Sequence, residues 1–393
     1  MDNYYSINED ILLQCPPILR DNISYMGSSD KIGLFPINIK IQPLDNKMYQ
    51  EDQKLNYKDY FKVDIPYAGK TLTWEMIFNN EDYEFAPDFA FDDQKFLNDP
   101  DIDVIEKYLP SLANWDVKRC QSLANVIKEL ITLFKSHQIY SLKDEKFTKV
   151  YAEYENLSTI EIKEDDLEVL IEYPAGSVRF LFNISLKNYD SLPACFRSEN
   201  LEDIKKKLNP GDVQALLSVI FLKPDCSKVQ TTLHLSPAME QVVGSTSTLH
   251  IPVYGKKTDL AEYITTIRKI LDEKLEQISN QFKLKNEYIS AVLSLHRYSV
   301  LEYDSRCFNF IIILLQVDEM YALVHITIGN EFPKEKPKVT LRSVCKMMMN
   351  KPFAMELDDY PYSPRWEPKE MVTRLMTRLP EAIPEFINRH NTR

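Results

Sequence analysis

Glycine is scarce in this 393-residue sequence, with eight residues and no two of them one apart. Neither a dinucleotide-binding fingerprint nor a P-loop can be assembled from it, and no nucleotide cofactor is expected. Cysteine is equally sparse. Cys15, Cys120, Cys195, Cys226, Cys307 and Cys345 are scattered without a CxxC pair, so they predict reduced thiols in the cytoplasm or nucleus and no disulfide framework. The six histidines form no HxH or HExxH spacing, which leaves no metal-site motif. Long apolar runs are missing too: Phe310 to Leu315 is the longest, strand-sized and far short of the ~18 residues of a membrane span. The start, Met1-Asp2-Asn3-Tyr4-Tyr5, has no apolar core of a signal peptide. Positive charge is in the minority, 47 Lys and Arg against 59 Asp and Glu for a net −12, which argues against a nucleic-acid partner.

What the chain does have is apolar and aromatic content. Hydrophobic residues make up 44%, with 22 Tyr and 19 Phe, enough for packed cores in two or three domains. Ile11, Leu12, Ile18, Leu19 and Ile23 give a partly helical opening broken by Pro16-Pro17. Strand patterns follow at 33–41, 60–65, 72–78 and 85–91, with turns at Ala68-Gly69 and Asn79-Asn80. Val117, Leu123, Val126, Ile127, Leu130 and Phe134 then predict an amphipathic helix, with Asn114 or Asp116 as its cap. A charged helical stretch, 142–157, leads into strands at 167–173, 178–186, 213–222 and 229–235. A polar insertion, 187–212, carries Lys205-Lys206-Lys207.

The last segment opens on a stripe at three- and four-residue spacing, Leu260 to Phe282, that predicts a helix of about 40 Å. Its apolar face is read as core rather than coiled coil. Strands at 298–303, 308–317, 320–328 and 338–344 and a helix through Leu379 follow, the helix ending before Pro380 and Pro384. The order helix, four strands, helix thus recurs. Phe78, Pro87 and Trp115 in the first segment are matched by Ile328, Pro337 and Trp366 in the last, at nearly equal spacing, and an aromatic, Tyr83 or Phe332, precedes each proline. Proline stiffens a connection that cannot join the ladder, and tryptophan offers a large apolar surface to anchor the returning helix.

This layout resembles the ubiquitin-conjugating (E2) fold and its inactive UEV and RWD relatives. It implies an α+β chain of tandem ubiquitin-conjugating-enzyme-like (UEV/RWD) domains at 1–140, 141–257 and 258–393, each a four-stranded antiparallel meander with flanking helices, the middle copy degenerate. An active E2 needs a thiol beside an oxyanion-stabilising Asn shortly before that tryptophan. No cysteine lies between Phe91 and Trp115, Cys120 falls past the tryptophan on the predicted helix, and Cys345 stands 21 residues before Trp366 without a His-Pro-Asn neighbour. The chain is therefore expected not to be an enzyme. His234 and His325 sit in predicted strands and are read as structural; the acidic run from Glu81 to Glu106 is read as a solvated loop.

Longer phrases narrow the family. Phe61 to Trp74, Leu249-His250-Ile251-Pro252, Asn286-Glu287-Tyr288-Ile289 and Tyr360-Pro361-Tyr362-Ser363-Pro364-Arg365-Trp366 resemble the BRE family, E2-variant subunits of the BRISC and BRCA-A deubiquitinase assemblies. Residues 1–30, 187–212 and 346–359 match poorly. The resemblance implies a scaffold, cytoplasmic and nuclear, that links a metal-dependent MPN-class isopeptidase and an Abraxas-type inactive MPN partner to a von Willebrand A-type adaptor. It also implies cleavage of non-degradative polyubiquitin, DNA-damage signalling, and polyubiquitin and a serine hydroxymethyltransferase as further partners. Tyr360, Pro361, Tyr362, Pro364, Arg365 and Trp366 have the composition of an interface hot spot, as do Tyr67, Ala68 and Gly69 at the first hairpin by position; either group could instead serve the fold alone. The second function in view is a free ubiquitin-binding E2 variant that partners an active E2.

Overall fold

The computed structural model describes residues 9–28, 33–34, 38–44, 57–186, 192, 215–255, 258–348 and 351–391. Expectations for residues 1–8, for Cys195, for the Lys205-Lys206-Lys207 triplet and for the side chain of Cys345 lie outside the described residues. Helices α1 (Glu9–Gln14) and α2 (Arg20–Ser28) precede strands β1 (Lys40–Leu44), β2 (Tyr60–Tyr67), β3 (Lys70–Ile77) and β4 (Asp88–Phe91). Then come α3 (Ile102–Tyr108), α4 (Pro110–Ala113), α5 (Ser122–Ser141) and α6 (Thr148–Asn156). A second set, β5 (Leu167–Glu172), β6 (Ser177–Asn183), β7 (Ala215–Phe221) and β8 (Val229–Leu235), leads through α7 (Pro237–Val243) to α8 (Leu260–His296). Strands β9 (Val300–Tyr303), β10 (Phe310–Val317), β11 (Met320–Thr327), β12 (Lys338–Met348) and β13 (Lys351–Leu357) and helix α9 (Pro368–Asn391) complete the chain.

The fold is mixed α+β, with three antiparallel sheets whose strands neighbour one another in chain order. Two compact units result: one takes in the described residues of Met1–Leu186 and Asn200–Ile270, the other those of Lys187–Glu199 and Leu271–Arg393. Among the described residues, no helix is long and apolar enough to cross a membrane.

In the first unit, β2 and β3 alternate so that Phe61, Val63, Trp74 and Met76 are buried against Leu123, Ile127 and Phe134 of α5. Trp74 meets Phe91 and Phe134 edge-on at ring separations of 5.1 and 6.0 Å. Helix α5 starts later than expected, at Ser122, and neither Asn114 nor Asp116 caps it. Its cap comes from α2: buried Asn22 accepts from the Leu123 N–H (3.3 Å) and donates to the Val117 carbonyl (2.6 Å). A side chain 101 positions away thus satisfies a donor that local sequence leaves open.

The first two sheets meet at the β2–β3 turn. Ala68 and Gly69 both have positive φ, 49° and 73°, the backbone of a two-residue hairpin whose twist suits its strands. Glu168 of β5, 6% exposed, accepts from the Ala68 N–H at 2.6 Å and the Leu34 N–H at 2.7 Å. The Tyr67 hydroxyl donates to the Val169 carbonyl at 3.1 Å, and Gln138 of α5 accepts from the Ile171 N–H while donating to Asp93. Gly33 completes the joint: a Cβ there would stand 2.6 Å from the Pro66 carbonyl oxygen and 3.1 Å from a Glu168 oxygen.

In the second unit the sheet carries five strands, not the expected four. β13 hides in the segment 346–359 that matched the family poorly, although the alternation of Phe353, Met355 and Leu357 could have marked it. Helix α8 runs 37 residues, about 55 Å, beyond the predicted end at Phe282, because Tyr288, Ile289 and Val292 continue its buried stripe. Lys285, 6% exposed, donates to Asn309 (2.8 Å) and Asn330 (3.4 Å). Helix α9 also passes both prolines at which it was expected to stop. Burial of Ile383 between them and Phe386 beyond, worth ~1.5–3 kcal/mol each, offsets the hydrogen bonds that proline removes.

The sequence repeat is also a repeat of register. Strands β10, β11 and β12 start at residues 310, 320 and 338, a constant 250 beyond residues 60, 70 and 88 where β2, β3 and β4 start. Tyr60 pairs with Ile77 and Tyr67 with Lys70; Phe310 pairs with Thr327 and Val317 with Met320. The Phe78 N–H donates to the Asp59 carbonyl and the Ile328 N–H to the Asn309 carbonyl, at 2.8 and 2.7 Å.

Replacing Glu168 by Ala strands two buried backbone donors. We expect a loss of about 2–4 kcal/mol in unfolding free energy, read as a lower urea midpoint at unchanged slope; a shift under 0.5 kcal/mol would mean that the joint is not held by this carboxylate.

Candidate functional site

The aromatic, proline-rich string lies between β13 and α9 and is brought against the turn that joins β11 to β12. Phe332 is buried there beneath Tyr288, ring centroids 5.5 Å apart and edge-on. Three carbonyls of that turn are met by the string: Tyr360 donates its hydroxyl to the Pro337 oxygen, and Tyr362 to the oxygens of Pro333 (2.5 Å) and Glu335 (3.3 Å). Lys336 reaches back over the Tyr360 ring at 5.0 Å. Trp366 is half-buried on the unit's core, and its other side carries the Arg374 guanidinium 4.4 Å from the ring.

Pro361, Pro364 and Arg365 remain exposed. The turn holding them is closed by the Trp366 N–H donating to the Ser363 carbonyl (3.1 Å) and the Arg365 N–H to the Ser363 hydroxyl (3.3 Å). A single outward guanidinium between rigid residues suits recognition of a carboxylate or a carbonyl on a partner. Arg374 and Arg378, which sequence reasoning passed over, supply the anchoring. Arg378 donates to the Asp359 carbonyl (3.3 Å) and pairs with Glu381 (3.1 Å) and Glu385 (3.5 Å); the spacing of three and seven along one helix face was the available signal.

The corresponding turn of the first sheet uses different atoms for the same task. Trp115 donates its indole N–H to the Tyr83 carbonyl at 3.2 Å, with its ring 6.2 Å from Phe78. Of the hairpin residues, Tyr67 and Ala68 are buried in the joint with β5, and Gly69 is exposed. The nine residues singled out from sequence therefore fall in two places: Tyr67, Ala68 and Gly69 in the first unit, Tyr360 to Trp366 in the second.

Cys120 precedes α5 rather than lying on it, in a cleft of about 510 Å³ lined also by Pro110, Asn114, Lys118 and Arg119. Lys118 pairs with Glu84 (3.6 Å) and Arg119 with Asp116 (3.1 Å). His137 is paired instead with Asp93, at 3.3 Å. Among the described residues, no group of three or more His, Cys, Asp or Glu side chains is placed to hold a metal ion. His234 and His325 lie on β8 and β11, where burial lowers the His325 pKa first and Arg342 adds to it.

Burial pushes the Tyr362 phenol up to about 12, from an ordinary 10, and raises Tyr360 and Tyr288 further. The folded chain thus favours the protonated phenols, so their contribution is full below pH 10 and declines as pH climbs from 10 towards 12. Unfolding free energy should fall over that interval, and Tyr362→Phe should fall less steeply while losing about 1 kcal/mol at neutral pH. Urea titrations at pH 8, 10 and 11 check both, and parallel curves for the two proteins would refute the assignment.

The family described as Brain and reproductive organ-expressed protein (BRE) matches residues 14–347. A protein of Danio rerio named "BRISC and BRCA1-A complex member 2" is 31% identical over 339 residues, covering 84% of this chain and 83% of that protein. A protein of Branchiostoma floridae with the same name is 28% identical over 389 residues, covering 97% of each. With the family match spanning most of the chain and both relatives aligned along most of their length, this chain belongs to the BRE family.

Proposed function

We propose that this chain is a non-catalytic scaffold subunit of a deubiquitinase assembly of the BRISC and BRCA1-A type. The observation that carries the proposal is the similarity, over 84% and 97% of this chain, to relatives named as members of those complexes. The physical reading supports it. Two sheets share one hairpin register, the segment from Phe91 to Trp115, which carries α3 and α4, has no cysteine, and the Tyr360–Trp366 string is fastened by its own hydroxyls so that Pro361, Pro364 and Arg365 stay exposed. Rigid units that lack a nucleophile leave their surfaces for docking.

In this proposal residues 1–140, 141–257 and 258–393 are three UEV/RWD-like domains, the middle one degenerate. The chain joins a metal-dependent MPN-class isopeptidase and its inactive MPN partner to a von Willebrand A-type adaptor. The metal resides in the isopeptidase. The assembly trims non-degradative polyubiquitin in cytoplasm and nucleus.

Purification of the tagged full chain from cells should recover an MPN-class isopeptidase in constant proportion. The double variant Arg365→Glu with Trp366→Ala should lose at least one subunit while Gly69→Ala on the first hairpin keeps all of them. Recovery of an active E2 with ubiquitin, and of no isopeptidase, would instead make the chain a free E2 cofactor.

A further inference from the structure

The constant 250-residue offset makes the first sheet an internal control for the third. In both, one face of the hairpin is core: Val63 and Trp74 are fully buried in the first, Ile313 and Val324 in the third. The opposite faces differ. On the first sheet that face is built for water: Tyr60 donates to Glu75 (2.5 Å), Lys62 lies 3.4 Å from Asp64, and Thr73 donates to Asp64 (3.0 Å). At the same register the third sheet has Phe310 for Tyr60, Ile312 for Lys62, Leu314 for Asp64 and Leu323 for Thr73.

Two charged positions also change sign. Glu75 and Asp92, in and just after the strands of the first sheet, correspond to His325 and Arg342 of the third, where the carboxylates of that face stand elsewhere: Glu302 opposite Ile312, and Glu356 paired with Lys338 at 2.8 Å. Pairing places these residues side by side, Leu314 opposite Leu323 and Leu323 opposite Arg342, with Ile312 opposite His325. The Phe310 ring meets His325 edge-on at 5.9 Å. Arg342 is exposed, and among the described residues no carboxylate pairs with it. Tyr321 and Val344, 47% and 51% exposed, extend the strip.

We propose that this face of the third sheet is a docking surface for a single amphipathic helix of a partner protein, its apolar stripe on Ile312, Leu314 and Leu323 and an acidic side chain against Arg342. Two considerations choose this occupant. Phe310 to Leu314 span about 14 Å along β10, the length of roughly nine helical residues, and a helix laid on a sheet is the usual way to bury such a face. The unpaired cation at the strip's edge requires a carboxylate on what covers it, which apolar packing alone does not supply. The inference draws on the scaffold function only in requiring a partner.

The test places a photocrosslinking p-benzoylphenylalanine at Leu323 in the full-length chain in cells, with the matched first-sheet position Thr73 as control. The expected product is one covalent adduct from position 323, mapped by mass spectrometry to the apolar side of a partner helix with Asp or Glu within one turn. Position 73 should give little adduct. Arg342→Glu should reduce the yield about tenfold, and reversing the mapped acidic residue to Arg should restore it. An adduct to a second copy of this chain, to a partner's loop or sheet, or equal yields at both positions overturns the proposal, as does no adduct while the isopeptidase still co-purifies. Failure of the scaffold function would show separately, as absence of the isopeptidase.

Discussion

The first unit turns on one buried carboxylate. Glu168 sits at the start of β5 yet satisfies donors from the β2–β3 turn and from Leu34, so one side chain fixes a hairpin and a preceding segment against the second sheet. Removing a charge from water costs several kcal/mol unless its lone pairs are met. Here backbone N–H groups meet them, and Lys135 of α5 lies within reach of its field and of Glu164, Asp165 and Asp166. The left-handed backbone at Ala68, uncommon for a residue with a Cβ, is tolerated because the turn it makes delivers its N–H to that carboxylate. Tyr67, Gln138 and Gly33 then pack around a geometry already set.

The second unit solves a similar problem with neutral groups. The turn before β12 exposes carbonyls that no strand can pair, and the tyrosines of the 360–366 string donate to them. The first sheet uses a tryptophan N–H at the equivalent turn. Two different side chains thus answer one constraint, unpaired carbonyls beside a proline-bearing connection. That is why the aromatic, proline and tryptophan spacing recurs although the residues around it do not. A consequence is that the composition typical of a hot spot serves the fold and the surface together: the ring bodies hold the string and leave Pro361, Pro364 and Arg365 outward.

Much of this was legible in the residues. The presence of both hairpins, the turn at Ala68-Gly69, the middle strands and the first part of the α8 stripe follow from local period and turn chemistry, though the first hairpin's strands, expected at 60–65 and 72–78, pair over Tyr60–Tyr67 and Lys70–Ile77. What was not legible has physical causes. The cap of α5 comes from Asn22, and nothing near Asn114 or Asp116 signals it. Helix α9 crosses Pro380 and Pro384 because Ile383 and Phe386 are buried, an energy that no local propensity contains. The fifth strand was passed over because its alternating run is short and lies in a segment unlike the family.

By itself the sequence determined the helix–strands–helix order of the first and last segments apart from the fifth strand, the spacing of the repeat, the absence of a cysteine between Phe91 and Trp115 and the family to which the chain belongs, since each is a property of neighbours along the chain. Only the tertiary structure decided that Tyr67 and Ala68 face β5 while Pro361, Pro364 and Arg365 face outward, and that Leu314, Leu323 and Arg342 share one surface. Those are facts about which strands pair and what covers them. A strand's period sorts its side chains into two sets but does not say which set meets the core; burial against α8 and α9 makes that choice.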